Sequence, residues 1–168
     1  IYTREKGNIE KIIIRDSVIQ SFDNILPAIN LSGGKVEMER STVFGSMEVH
    51  RLYASDSIIT GSVDVLDTQN SCFRFSSAKT NGSRLPKPYE SHLHSGDTNH
   101  WFTSDRFGHP CFAQLTESAP VEITRGAENG SEMGAFCSLM NPVKLDSLKI
   151  KIEEYMPFGL IPIYINQT

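Results

Sequence analysis

Three stretches of this chain say nearly the same thing. Ile12-Ile13-Ile14-Arg15-Asp16-Ser17-Val18-Ile19 is echoed by Val36-Glu37-Met38-Glu39-Arg40-Ser41-Thr42-Val43, and again by Leu52-Tyr53-Ala54-Ser55-Asp56-Ser57-Ile58-Ile59. Each copy places apolar residues two and four positions before a polar pair that ends in Ser, and a β-branched pair follows. Two copies continue into a short turn, Phe44-Gly45-Ser46 and Thr60-Gly61-Ser62, and then into Met47-Glu48-Val49 and Val63-Asp64-Val65. Self-similarity at a short interval is the signature of a repeat architecture, in which no single unit can bury its own apolar side.

The alternating segments Val36–Met38, Met47–Val49, Leu52–Ala54 and Val63–Val65 have the period of short strands. Two-residue Asn-Gly or Asp-Gly hairpin turns are not what separates them. Gly45-Ser46 and Gly61-Ser62 stand in register instead, as stacked coils require. The predicted fold is mainly β: a short parallel β-helix or β-solenoid with a C-terminal α-containing cap. Residues 24–30 account for the longer first interval as a loop or extra strand. Ser71–Ser76 is read as the last coil. A Greek-key sandwich is compatible with the same strand pattern.

After Ser76 the texture changes. Residues 1–76 are predicted to form the coils, with 1–7 an opening strand or a cut end. Residues 77–100 are predicted to be an exposed connection, because apolar period is lost among Ser, Asn, Gly and Pro. Residues 101–168 are predicted to be a capping region with two helices and a terminal strand. Ala127–Met140 has Met133, Phe136, Cys137 and Met140 at helical spacing, behind Asn129 or Ser131 as a cap. Asn141-Pro142 starts the second helix with Pro in its first turn. Leu145, Leu148, Ile152 and Tyr155 form its apolar stripe, and Pro157 stops it. Ile161, Ile163 and Ile165 alternate as a closing strand would. Open coil ends invite pairing with other chains, and the aromatics Trp101, Phe102, Phe107, Phe112, Phe136, Tyr155 and Phe158 are expected to seat on such an end.

Composition narrows the functions. With 168 residues, 39% apolar, the chain can bury one sizeable core. A net charge of -4 without a basic block argues against nucleic-acid binding. No apolar run is long enough to span a membrane. The chain starts at Ile1 without a signal peptide and is expected to be a piece of something longer. Its three cysteines, Cys72, Cys111 and Cys137, do not make a disulfide scaffold and suit a reduced, cytoplasmic setting before any assembly or release. One bridge with one free thiol stays open. The sequons at Asn30, Asn81, Asn129 and Asn166 matter only in a secreted eukaryotic chain.

The coils at residues 8–76 resemble right-handed parallel β-helix proteins of the pectin-lyase-like kind. Arg51–Ile59, Phe102–Gly108 and Arg125–Phe136 are similar to stretches in the C-terminal parts of long, uncharacterised bacterial proteins associated with phage-tail-like or contractile-injection components. The resemblance implies a β-helix with a helical end piece inside a larger assembly, and it carries over no catalytic residue.

Candidate chemistry is sparse. His92 and His94, with His100 and His109 nearby, offer imidazoles, but no Cys or carboxylate spacing completes a zinc site, and solvated loop histidines are the favoured reading. Asp16, Asp56 and Asp64, near Glu39, Arg40 and Arg51, are where a polysaccharide hydrolase would carry a carboxylate pair. Arg40 stands where Asp16 and Asp56 stand, so the Asp is better read as a turn residue bonding nearby amides. The glycines of Arg125–Gly134 match neither a P-loop nor a dinucleotide fingerprint. Cys72 is read as a small buried residue. No catalytic residue, metal or cofactor is expected. The expected function is a non-catalytic structural or interaction module of a bacterial multidomain protein or phage-tail-like assembly, contacting other domains or subunits. Trp101, Phe102, Arg106, Phe107, Arg125, Glu128 and Glu132 are the expected contact residues. The rivals are a carbohydrate-active lyase or hydrolase, and a carbohydrate-binding module using Tyr53, Tyr89 or Trp101.

Overall fold

In the computed structural model the described residues are 1, 9–23 and 26–163. Among these residues eleven short strands wind into a parallel solenoid of about four turns. One sheet stacks β1 (Lys11–Arg15), β3 (Ile29–Glu39), β5 (Met47–Ser55), β8 (Cys72–Arg74) and β10 (Pro88–Tyr89), with β7 (Val63–Val65) also paired to β5. The other stacks β2 (Val18–Gln20), β4 (Thr42–Phe44), β6 (Ile58–Ile59), β9 (Ser77–Lys79) and β11 (His92–His94). Every strand pair is parallel.

Parity decides which side chains enter the coil. Ile14, Met38, Ala54 and Phe73 share one inward column, and Val43, Ile59 and Ala78 share another from the second sheet. A third side comes from Ile29, Leu31, Met47, Val49, Val63 and Val65, where β3 and β5 run on past the corner. These residues form one core that water does not reach, and a side chain such as Phe73 contributes about 1.5–3 kcal/mol by burial.

The corner between the two sheets repeats with atomic regularity. Asp16, Arg40, Asp56, Phe75 and Glu90 all take the left-handed conformation, with φ between 45 and 51°. Asp tolerates it; Phe75 and Glu90 adopt it at a cost. A serine follows each, and the hydroxyls of Ser17, Ser41, Ser57, Ser76 and Ser91 each donate to the carbonyl two residues back. Each hydroxyl oxygen beyond the first accepts the backbone N–H of the serine one coil earlier, at 3.4, 3.2, 3.1 and 3.3 Å. The ladder turns the repeat seen in sequence into a continuous hydrogen-bonded spine.

The coils run further than the sequence signals. Ser71–Ser76 is not the final coil, because β10 and β11 add another beyond it, and β9 to β11 lie in the stretch predicted to be an exposed connection. There the β-branched pair has become Ser77-Ala78 and His92-Leu93, so the spacing survived while its residue types changed. Gly45 and Gly61 do stack, with Gly61 N–H on the Gly45 carbonyl at 3.1 Å, and a Cβ at Gly61 would meet that backbone at 2.5 Å.

After β11 the chain covers the outer side of the second sheet rather than the open core at a coil end. Trp101, Phe102, Ala119, Ile123 and Met133 close over the outward-facing Ile58, with Phe44 and Leu115 at the margin. The reason is again parity: Phe44 and Ile58 are apolar side chains on the wrong face for the core, so the chain returns to bury them. One predicted helix is present and one is not. α1 is a single turn, Val121–Thr124, and α2 spans Asn141–Tyr155 with Pro142 in its first turn. Ala127–Phe136 is a string of turns ending in a 3-10 turn at Cys137–Leu139, because Gly130 and Gly134 sit at φ of 73 and 96°, which a helix does not allow. Residues 158–163 form no strand, and Ile165 and residues 2–8 lie outside the described residues.

Candidate functional site

Among the described residues, the coils and their cover bear side chains able to meet a ligand or partner on the outer face of the first sheet, at the coil corner and along the covering segment. On the outer face Ile13, Glu37, Tyr53 and Cys72 form one column and Arg15, Glu39, Ser55, Arg74 and Tyr89 the next. Between them lies a shallow groove of about 360 Å³. Its charges are already paired. Glu37 receives Lys11 at 2.6 Å and Lys35 at 2.5 Å, Glu39 meets Arg15 at 3.1 Å, and the Lys35 ammonium lies 4.3 Å over the Tyr53 ring. The two lysines hold the Glu37 carboxyl below its ordinary value. Cys72 is exposed in this groove rather than buried, because its neighbour Phe73 takes the inward position.

At the corner the carboxylates are structural. Arg40 spans Asp16 with two bonds, 2.8 and 3.1 Å, and its guanidinium lowers the Asp16 pKa first by hydrogen bonding. Asp56, buried, accepts the Ser55 hydroxyl at 2.8 Å and the Glu128 backbone N–H at 2.7 Å. Both aspartates sit in left-handed turns, but their carboxylates do not bond local amides as expected: Asp16 meets Arg40 one coil away and the Ser138 hydroxyl, and Asp56 meets the adjacent Ser55 hydroxyl and the distant Glu128 amide. Asp64 points outward from the third side. A glycosidase would need two carboxyls free to meet a sugar; Asp16 and Asp56 are both engaged.

The covering segment is pinned at single points. Thr42 Oγ1 accepts the Ala135 N–H at 3.0 Å, the Asp56 carbonyl accepts Gly134 N–H at 2.8 Å, Gln20 Nε2 donates to the Asp105 carbonyl at 2.9 Å, and the Ser138 hydroxyl reaches Asp16 at 3.2 Å. The segment thus runs back from the last coil to the first. The residues expected to make contacts divide here. Trp101 and Phe102 are interior, Trp101 against His94 at 4.9 Å and Phe102 against Phe44 at 4.8 Å. Arg106 and Phe107 are exposed, Phe107 edge-on to Phe112. Arg125 grips Asp146 of α2 at 2.7 and 2.9 Å, and Glu128 faces Arg74 at 3.6 Å. Glu132 is buried, accepts Asn141 Nδ2 at 2.8 Å, and burial raises its pKa. The partners Asp56, Asp146 and Asn141 carry no local sequence signal that pairs them with these residues.

The histidines do not assemble. His94 is buried with Nε2 3.4 Å from the Ile59 carbonyl, His92 and His100 flank Trp101 at 6.0 and 6.3 Å, and His109 accepts the Cys111 N–H. Among the described residues no group of three or more His, Cys, Asp or Glu is placed to hold a metal ion, and no helix is long and apolar enough to cross a membrane. Burial pushes the Cys137 thiol up to about 11, which keeps it protonated and unreactive at neutral pH. Compared with protein-family models, curated proteins and solved structures, the chain matches none of them.

Proposed function

We propose that this chain is a non-catalytic structural and interaction module of a larger bacterial multidomain protein or phage-tail-like assembly. The observation that carries the reading is the engagement of Asp16 and Asp56 in the corner, where the carboxylates of a polysaccharide-cleaving coil would otherwise stand free. The solenoid is a rigid spine, its serine ladder fixing the register of every coil, and the segment from Trp101 to Phe136 locks one of its sides. What such a body offers a partner is surface held in place, at Arg106, Phe107 and the end of the covering segment. The sequence resemblance to tail-like components points the same way.

The test is to incubate the chain with a panel of plant and bacterial polysaccharides and assay new reducing ends and unsaturated products. No product above buffer is expected; sustained release that Asp16→Asn or Asp56→Asn abolishes overturns the reading. A second reading, sugar binding without cleavage, is favoured by Tyr53 and Tyr89, both exposed on the outer face of the first sheet. Retention on a glycan array that Tyr53→Ala and Tyr89→Ala together remove would establish it.

A further inference from the structure

The serine ladder ends in a donor at one tip of the solenoid and an acceptor at the other. Each rung between them joins a serine N–H to the hydroxyl oxygen of the serine on the next coil. At the last rung the Ser91 N–H has no acceptor among the described residues, and at the first the Ser17 hydroxyl oxygen receives no N–H from them. The strand edges are open in the same sense. β1 and β2 stand last in their sheets at one tip, β10 and β11 at the other, and no described strand pairs with their outer edges. The apolar columns are open too. Met38, Ala54 and Phe73 are buried, yet Pro88, next in that column, is exposed. Val43, Ile59 and Ala78 are buried, yet Leu93, next in theirs, is 38% exposed.

The two tips match each other. Continuing the register by one coil sets a second copy's Ile14 over Pro88 and its Ile19 over Leu93, apolar on apolar. Its Ser17 then stands over Ser91, where the missing rung forms. Its Arg15 stands over Tyr89 on the outer face, a cation on a ring as with Lys35 and Tyr53 within the coils. Corner meets corner in one backbone conformation, since Asp16 and Glu90 have φ of 45 and 46°. Their carboxylates repel, but the Arg40 guanidinium already neutralises Asp16. We propose that the last coil, at β10 and β11, is the docking surface for the first coil, at β1 and β2, of a second copy of this chain, stacked parallel and head to tail. Backbone hydrogen bonds along the strand edges supply the affinity, and the inward side chains set the register. Such a contact uses two different surfaces, so each added copy presents a fresh tip and the assembly stays open-ended. This goes beyond the reading of the chain as an interaction module by naming what its coil ends take.

The test uses the whole chain and variants blocked at one tip each, Leu93→Asp at the last coil and Ile19→Asp at the first. Circular dichroism and Trp101 emission establish that each is folded. In sedimentation velocity the wild type should show a mass that climbs with concentration past that of a dimer. Each blocked variant alone should stay a monomer, and their mixture should form a one-to-one dimer and stop there. Glu90→Arg, which sets an arginine beside the second copy's Asp16 as Arg40 is set within the chain, should tighten the association about tenfold, a gain that misfolding does not produce. Should Ile19→Asp fail to fold, Leu93→Asp and Glu90→Arg, both at exposed positions of the last coil, decide the matter between them. A wild type that stays monomeric up to about 1 mM overturns the proposal. So does a closed dimer that Leu93→Asp leaves intact, a mixture of folded blocked variants that stays monomeric, or association that Glu90→Arg fails to strengthen. None of these outcomes depends on polysaccharide cleavage, so this proposal and the non-catalytic reading fail separately.

Discussion

In the coils, each stabilising contact has a counterpart one turn up or down: five serines in one ladder, five left-handed corners, and inward columns of apolar side chains. In the covering segment the anchors are unlike one another: a threonine hydroxyl, the Asp56 carboxylate on a backbone amide, the Asp16 carboxylate on the Ser138 hydroxyl, and one tryptophan among histidines. A repeat spreads a lesion over neighbours of the same kind, and its stability approximates a sum over units. An irregular cover concentrates it. The two halves of the molecule should therefore break differently, and Trp101, the chain's one tryptophan, reports the cover while far-ultraviolet circular dichroism reports the coils.

The largest effect is expected from Phe73→Ala. Phe73 is fully buried in the central column, and its truncation should cost about 3–5 kcal/mol. Chemical denaturation followed by circular dichroism should show the coils and the cover lost together, since the cover has no core to rest on without β6. Retention of the coil signal at the wild-type midpoint would refute the stacking of Phe73 between Ala54 and Pro88.

Gly134→Ala comes next and is the cleanest attack on the cover alone. Gly134 has φ of 96°, and an added Cβ would lie 2.6 Å from Thr42 Oγ1 and 3.1 Å from Ile58 Cδ1. Such strain costs about 1–3 kcal/mol. The expected outcome is a Trp101 emission shift at lower denaturant than wild type, while the coil transition stays within error. A single shifted transition for both probes would mean that the two halves form one cooperative unit and would erase the contrast.

How far the contrast could be read beforehand depended on where the information lies. The first coils were legible because Ser17, Ser41 and Ser57 stand in the same run of residue types, apolar residues before and a β-branched pair after. Around Ser76 and Ser91 only the serine and the left-handed corner before it persist, with Phe75 and Glu90 at the corners, so the sequence signal ends before the solenoid does. α2 was legible because Asn141-Pro142 and Pro157 are local punctuation, and a start or stop needs no tertiary knowledge. The placement of the cover was not, because Phe44 and Ile58 reveal themselves as outward-facing only once strand register is known. The contact residues suffered the same way: Trp101 and Phe102 look like exposed aromatics until the strands beneath them are fixed. Nothing near Glu128 or Glu132 in sequence points to Asp56 or Asn141.

Within the ladder, Ser57→Ala should cost about 1–3 kcal/mol, because it strands the buried N–H of Ser41 that the Ser57 hydroxyl accepts. Ser91→Ala removes the equivalent acceptor for Ser76 at a half-exposed site, where water can replace it, and should cost less. Midpoints from chemical denaturation give the order. Equal losses at both positions would mean that the ladder is as tight at its last rung as in its middle.

The smallest effect is a dependence on pH, and it belongs to the cover. Burial holds His94 below the ordinary imidazole value of 6.5, with the charges of His92 on the same strand and Lys79 on the neighbouring one adding to it. Trp101 closes the other side, with the exposed His100 beyond its ring. The unfolded chain takes up a proton near the ordinary value while the folded chain resists it. Stability from this group is therefore complete above about pH 6.5 and declines as pH falls from there toward the lower folded value. Glu132 has the opposite sign: burial raises its pKa, so its buried charge costs most at neutral pH, and that cost is relieved as pH falls through its folded value toward the ordinary 4.5. Thermal melts read by Trp101 should thus fall in midpoint as the pH drops below neutrality, and His94→Gln should flatten that limb without touching the more acidic one. If His94→Gln leaves the whole profile unchanged, the histidine titrates in water and the Trp101 contact does not shield it. If the acidic limb also vanishes, the two groups act through one opening of the cover, and the single-anchor picture of that segment would have to give way to a cooperative one.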